Sequence, residues 1–233
     1  MNNLEGLLFD LDGTLVDTSR DITANLNRAF TSFGYPQLEH EIILSHVGYG
    51  SHFLIKNCLA HNKIDVVVDD VLVTAMWEKF REHYRLHLVD ESAPYPGVVD
   101  FLQNETRPMG VVSNKPEEFV IGVLEELNLD RYFKFMWGRD TLPVCKPDPQ
   151  VIRYAAHELG IEQPGKVCML GDNPVDIKAA KGAGALAVGL ASGFTPMEIL
   201  NNENPDYLFE SFSQFSDSIQ GVRLDRIKIC CKD

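Results

Sequence analysis

The sequence is short of positive charge. Its 233 residues carry 21 Lys and Arg against 34 Asp and Glu, a formal net charge of −13. So acidic a chain argues against unspecific binding to nucleic acid or to an anionic membrane, because both need a positive surface. An anionic small molecule is still open to it, since a metal ion and one lysine supply a local positive field. Also missing is any apolar run near the roughly 20 residues that span a bilayer. The opening Met1-Asn2-Asn3-Leu4-Glu5 lacks a basic segment and does not read as a signal peptide. Cysteine is sparse and odd in number: Cys58, Cys145, Cys168, Cys230 and Cys231. They show no paired framework, so a reducing cytoplasm is expected. Cys230 and Cys231 lie in a polar tail, where an unstructured end is expected rather than a metal or redox site. Internal repeats and low-complexity segments are absent. No G-x-G-x-x-G follows a strand, which removes a dinucleotide loop.

What remains is ordinary soluble composition, 45% hydrophobic and 24% charged, in a chain long enough for one large core and a modest second domain. Short apolar runs predict strands at 4–9, 108–112, 132–138, 166–170, 185–190 and 206–209. Helical patterns lie between the later ones: Val120, Val123, Leu124 and Leu127; Ile152, Ala155 and Leu159; and the segment 174–181. Strands alternating with helices predict a doubly wound, Rossmann-like α/β core with a parallel sheet. Ligands bind such sheets at the carboxyl ends of the strands. Residues 17–92 break the alternation. Ile22, Leu26, Ala29, Phe30 and Phe33 form one apolar stripe there, and Val73, Trp77, Phe80 and Tyr84 another. So long a connection predicts an inserted helical cap domain. The expected division is a core of 1–16 and 93–220, a cap of 17–92, and a tail of 221–233.

Four strings at predicted strand ends carry the chemistry. In Asp10-Leu11-Asp12-Gly13-Thr14-Leu15-Val16-Asp17-Thr18, two carboxylates sit at the mouth of the sheet, suited to metal binding and acid–base work. A turn with a helix cap is the plainer reading of a bare D-x-D. In Ser113-Asn114-Lys115, a hydroxyl and backbone donors at a helix start can hold phosphate, or serve only as an N-cap. Lys146, in Lys146-Pro147-Asp148-Pro149, is held between a weak strand and a helix start. In Gly171-Asp172-Asn173-Pro174-Val175-Asp176, Asp176 lies one turn beyond Asp172 and faces the same way. A capped helix with a favourable dipole is the alternative. His83 and His87 are four apart, but no third zinc ligand is evident, so a solvated helix face is expected.

Taken in order, these strings resemble the haloacid-dehalogenase-like hydrolase superfamily, over nearly the whole chain. Val47-Gly48-Tyr49-Gly50 and Tyr95-Pro96-Gly97-Val98 resemble its phosphoglycolate phosphatase branch. Asn173 departs from the family's usual Ser or Thr. The resemblance implies a magnesium-dependent phosphatase with Asp10 as nucleophile and Asp12 as acid–base. Magnesium would be held by Asp10, the Asp12 carbonyl and Asp172. The phosphoryl group would be held by Ser113, Asn114 and Lys146. Asp176 would orient metal-bound water or Lys146, and the cap loop Gly48, Tyr49 and Gly50 would select the substrate. That substrate is expected to be a small phosphorylated metabolite, 2-phosphoglycolate first, with nucleic acid and membrane excluded as partners. Monomer and homodimer stay open. A phosphomutase of the β-phosphoglucomutase type shares the same strings, and a non-catalytic binding module on the same fold is the rival of another class. A haloacid dehalogenase is disfavoured because that branch lacks the second acid, Asp12.

Overall fold

A computed structural model describes residues 3–62 and 68–221. The central sheet begins with β1 (Gly6–Phe9), an apolar run that is buried along its whole length. Such continuous burial is the mark of a strand covered on both faces. Its side chains alternate: Leu7 and Phe9 enter one core, Leu8 the other. The partner strands are β4 (Met109–Val112) and β6 (Val167–Gly171), both parallel to β1. The sheet is completed by β5 (Met136–Trp137) on one side and by β7 (Leu186–Leu190) and β8 (Tyr207–Phe209) on the other, in the order β5-β4-β1-β6-β7-β8. All pairings in it are parallel. The expected strands are all present, with shorter limits at 132–138.

The chain winds outward in both directions from β1. Its neighbours β4 and β6 therefore flank a topological switch point, where a crevice opens at the strand ends. Helices cover the two faces: α5 (Val98–Asn104), α6 (Glu117–Glu126) and α10 (Phe212–Ile219) on one, α7 (Pro149–Glu158) and α8 (Pro174–Ala183) on the other. The short α9 (Met197–Asn202) leads from β7 toward β8.

The sequence pattern did not show how the inserted segment leaves and rejoins the core. It does so through a two-stranded antiparallel pair, β2 (Val16–Asp17) with β3 (Ala93–Pro94). Two residues per strand are too few to produce a period-two signal. Between them run α1 (Ser19–Ser32), α2 (His40–Leu44), α3 (Ser51–His61) and α4 (Asp70–Leu86). Ile22, Leu26, Ala29 and Phe30 of α1 pack with Val73, Met76, Phe80 and Tyr84 of α4 in a third apolar cluster. Phe33, expected in the α1 stripe, is exposed because the helix has already ended. Trp77 is half-buried and donates to Ser51 Oγ at 2.8 Å. The buried Asp21 accepts hydrogen bonds from the backbone N–H groups of Glu91 and Ser92 and so ties α1 to the returning chain. No helix among the described residues is long and apolar enough to cross a membrane. Cys230, Cys231 and the tail from 222 lie outside the described residues.

Candidate active site

Three adjacent strand ends converge at the switch point. Asp10 follows β1, Ser113 follows β4, and Asp172 follows β6. All three side chains line one cavity. The loop before α7 adds Lys146, fully enclosed, with Nζ 2.9 Å from Asp10 Oδ2 and 2.6 Å from Asp176 Oδ1. Asp176 reaches it from the first turn of α8, where its other oxygen accepts from the Asn173 N–H in a capping box. Structural capping and site geometry are therefore the work of one residue.

Oxygens of Asp10, Asp172 and Asp176 lie within 4.8 Å of one another, and all three residues are buried. The negative charge is out of balance: among the described residues, these carboxylates share a single ammonium, that of Lys146. Burial raises the Asp172 carboxyl well above the usual range, and the charges of Asp10 and Asp176 push it further. Burial also raises Asp176, to about 7, against the pull of Lys146. Lys146 is itself disfavoured as a cation by burial, but Asp10 and Asp176 outweigh that and hold it above the ordinary lysine range. An oxygen-rich, over-acidic cluster of this kind fits a hard divalent cation such as magnesium. Asp172 is oriented by Thr14 Oγ1 at 3.2 Å and by the Phe194 N–H at 2.8 Å. Gly13 makes room for it: a Cβ there would stand 2.3 Å from Asp172 Oδ2, and its φ of +77° is one that L side chains rarely adopt.

Asp12 does not join that cluster through its side chain. Its carboxylate accepts from Thr18 Oγ1 at 2.6 Å and from Lys115 Nζ at 2.9 and 3.1 Å. Lys115 was not singled out in the sequence, where it follows Ser113-Asn114 as an unremarkable cation. It is buried, and its Nζ also donates to Tyr84 Oη of α4 at 2.8 Å. Burial works against its charge, yet Asp12 and then Tyr84 raise its pKa. Burial likewise pushes the Tyr84 phenol up to about 12. The pairing joins residues 31 positions apart, which no local pattern can reveal.

The cap loop closes the cavity. Val47, Gly48, Gly50 and Ser51 line it, as do Ile22, Leu54, Phe80 and Tyr84. Tyr49 does not. It is 39% exposed and leans on Phe53, with ring centroids 4.9 Å apart. Asn114 also differs from expectation. Its Nδ2 is spent on the carbonyls of Gly48 and Lys146, both at 2.9 Å, so its side chain straps the loop to the core and offers no donor to a phosphoryl group. Asn173 Nδ2 makes a second strap, to Val47 O at 3.2 Å. His83 and His87 bond separately to Ser32 and Asp90, away from any metal-like cluster.

A doubly wound sheet with an acid–lysine cluster at its switch point defines a hydrolase-type site, and comparison with known proteins agrees. The model of the haloacid dehalogenase-like hydrolase family matches residues 7–190. The chain belongs to that family. Among curated relatives, it is 34% identical over 211 residues to a phosphoglycolate phosphatase of Haemophilus influenzae, covering 88% of this chain and 94% of that one. It is 32% identical over 230 residues to a phosphoglycolate phosphatase of Neisseria meningitidis, covering 94% and 95%. Among solved structures, that of a predicted phosphoglycolate phosphatase from Haemophilus somnus superposes with a TM-score of 0.86 at 27% identity, over 96% of this chain and all of that one.

Proposed function

We propose that this protein is a magnesium-dependent phosphatase that hydrolyses a small phosphomonoester, with 2-phosphoglycolate, the substrate named for its relatives, as first candidate. One observation carries the reading. The Asp10 carboxylate faces a cavity roofed by the cap beside Ser113, with a buried lysine 2.9 Å behind it. That is the setting of an activated nucleophile with cationic charge in place to meet phosphoryl oxygens.

In the proposed reaction, an Asp10 oxygen attacks phosphorus and the bond from phosphorus to the ester oxygen breaks. The leaving oxygen takes a proton from the Asp12 carboxyl. Water, giving a proton back to Asp12, then attacks the aspartyl-phosphate, releasing inorganic phosphate and restoring the Asp10 carboxylate. Ser113 holds the phosphoryl oxygens, Lys146 supplies positive charge from beneath Asp10, and Asp176 positions Lys146. Asp10, Asp172 and the Asp12 carbonyl would hold magnesium, which supplies charge neutralisation at the phosphoryl group. Residues 17–92 act as a cap on a core of 1–16 and 93–220, a division supported by the apolar cluster of α1–α4, whose one buried residue from the core is Phe119. The free thiols of Cys58, Cys145 and Cys168 suit a reducing cytoplasm.

The test is release of inorganic phosphate from a panel of phosphorylated metabolites. EDTA should abolish it and magnesium restore it. Calcium should support it poorly, because its looser, higher-coordinate shell lets a carboxylate bind through both oxygens and spoils the attack. Full turnover in EDTA would remove this mechanism. Conversion of one sugar phosphate to another without phosphate release would indicate a mutase.

A further inference from the structure

The mechanism above leaves one buried cation unused. Lys115 is the only cationic side chain, among the described residues, that lines the cavity. Lys146 lies beneath Asp10 and is engaged by two carboxylates. Around Lys115 the walls are apolar, with Ile22, Leu54, Phe80 and Phe119. In such surroundings an ion pair is far stronger than in water. Lys115 Nζ sits against Asp12 on one side and Tyr84 Oη on the other, and its ammonium also lies 4.6 Å from the Tyr84 ring centroid. It is thus held in place by the core and the cap together.

We propose that Lys115 is the specificity-determining residue for the leaving group, binding a carboxylate carried next to the phosphate ester. The inference rests on the phosphatase reading above. Asp12 serves the ester oxygen, and Lys115 is the group in direct contact with Asp12 on the cavity wall. In the phosphate ester of a 2-hydroxy acid, the carboxyl carbon stands two bonds from the ester oxygen. A carboxylate so placed falls beside the Lys115 ammonium, whose three donors now meet Asp12 Oδ1, Asp12 Oδ2 and Tyr84 Oη; one Asp12 oxygen and Tyr84 need two of them, and the third passes from the second Asp12 oxygen, at 3.1 Å, to the incoming anion. Esters of neutral alcohols offer Lys115 nothing. The substrate class assigned is therefore short 2-phospho-carboxylates, and the selecting residue lies in the core string after Ser113 rather than in the cap loop. Tyr84 acts as a positioning residue for it.

The experiment compares kcat/KM for 2-phosphoglycolate and for ethyl phosphate, which carries a methyl group in place of the carboxylate. The wild-type protein should prefer 2-phosphoglycolate by about 10- to 100-fold, the size of one charge-assisted hydrogen bond. Lys115→Gln lowers turnover of both esters, since Asp12 loses its partner, but the ratio should collapse toward one. Lys115→Arg keeps the charge and should restore much of the ratio. Circular dichroism and magnesium-dependent turnover of ethyl phosphate report folding of each variant. If Lys115→Gln does not fold, Tyr84→Phe provides the second reading, with a KM that rises more for 2-phosphoglycolate than for ethyl phosphate. A wild type that treats both esters equally, or a Lys115→Gln protein that keeps the wild-type ratio, overturns the inference and leaves the phosphatase reading intact. A wild type inactive on every phosphomonoester overturns both.

Discussion

The floor and the roof of the cavity are built on different principles. On the floor, Asp10, Ser113 and Asp172 each follow directly on a buried strand, so the sheet itself fixes their spacing. The roof is apolar, with Ile22, Leu54 and Phe80, and it belongs to helices with their own core. Floor and roof meet through an apolar contact, Tyr84 of α4 against Phe119 of α6 with ring centroids 4.8 Å apart, and a handful of polar links. These are the two amide straps from Asn114 and Asn173 to the loop at Val47 and Gly48, the bond from Lys115 to Tyr84, and the ion pairs of Arg81 and Arg85 with Glu118. Chemistry that requires fixed distances sits on rigid elements, while access and exclusion of water sit where contacts can open and close.

The contrast can be broken from the floor first. Lys146→Met strips the only ammonium, among the described residues, from a cluster of buried carboxylates, and the loss of one partner in such a pair costs about 3–5 kcal/mol. A loss of unfolding free energy of that order, read as a lowered melting temperature, should accompany loss of phosphate release. Magnesium should recover part of the stability but little of the activity, since the binding of a cation stabilises the folded state by mass action. Unchanged thermal stability would mean that the cluster relaxes without its lysine and is less rigid than described.

Gly48→Ala probes the roof. Gly48 has a φ of +111°, and a Cβ there would lie 2.2 Å from Asn173 Nδ2. The backbone strain is worth about 1–2 kcal/mol. Much of it should be absorbed by displacement of the loop, so the ranking of substrates should change more than the melting temperature does. A stability loss with the same ranking would make the loop a structural element only. The smallest effect is expected at the rim. Arg81 and Glu118 are each 31% exposed at the side chain, and pairs of that kind are worth about 0–1 kcal/mol. Glu118→Ala should leave thermal stability nearly unchanged, and a loss of several kcal/mol in chemical denaturation would show that the rim carries the roof.

The same contrast governs what was legible in the sequence. The floor is made of short strings at strand ends, so order along the chain stands in for order in space. The burial of β1, β4 and β6 on both faces leaves uninterrupted apolar runs that announce each strand end. The roof lacks such continuity. Lys115 finds Tyr84 only after the cap folds over the core, and neither residue breaks a local pattern. The resemblance implies that Tyr49 helps select the substrate, but the side chain is exposed and leans on Phe53 outside the cavity, an orientation that no local string specifies. Asn114 and Asn173 sit in strings that suggest phosphate or metal chemistry. Their side-chain amides instead bond the carbonyls of the cap loop, an arrangement that depends on where that loop comes to rest.

The most direct test of the account separates the two acids that follow β1. Asp10→Asn removes the nucleophile, so no phosphoenzyme can form. Asp12→Asn keeps the nucleophile and loses proton transfer, worth about 10²–10⁴ in rate. An aryl phosphate needs little protonation of its leaving group and should still phosphorylate Asp10, after which hydrolysis stalls for want of a base. Mass spectrometry of the acid-quenched Asp12→Asn protein should then find a hydroxylamine-sensitive phosphate on Asp10, with none in Asp10→Asn. Near-normal turnover in both variants, or a phosphate elsewhere in the chain, would contradict the assignment of Asp10 as the attacking group.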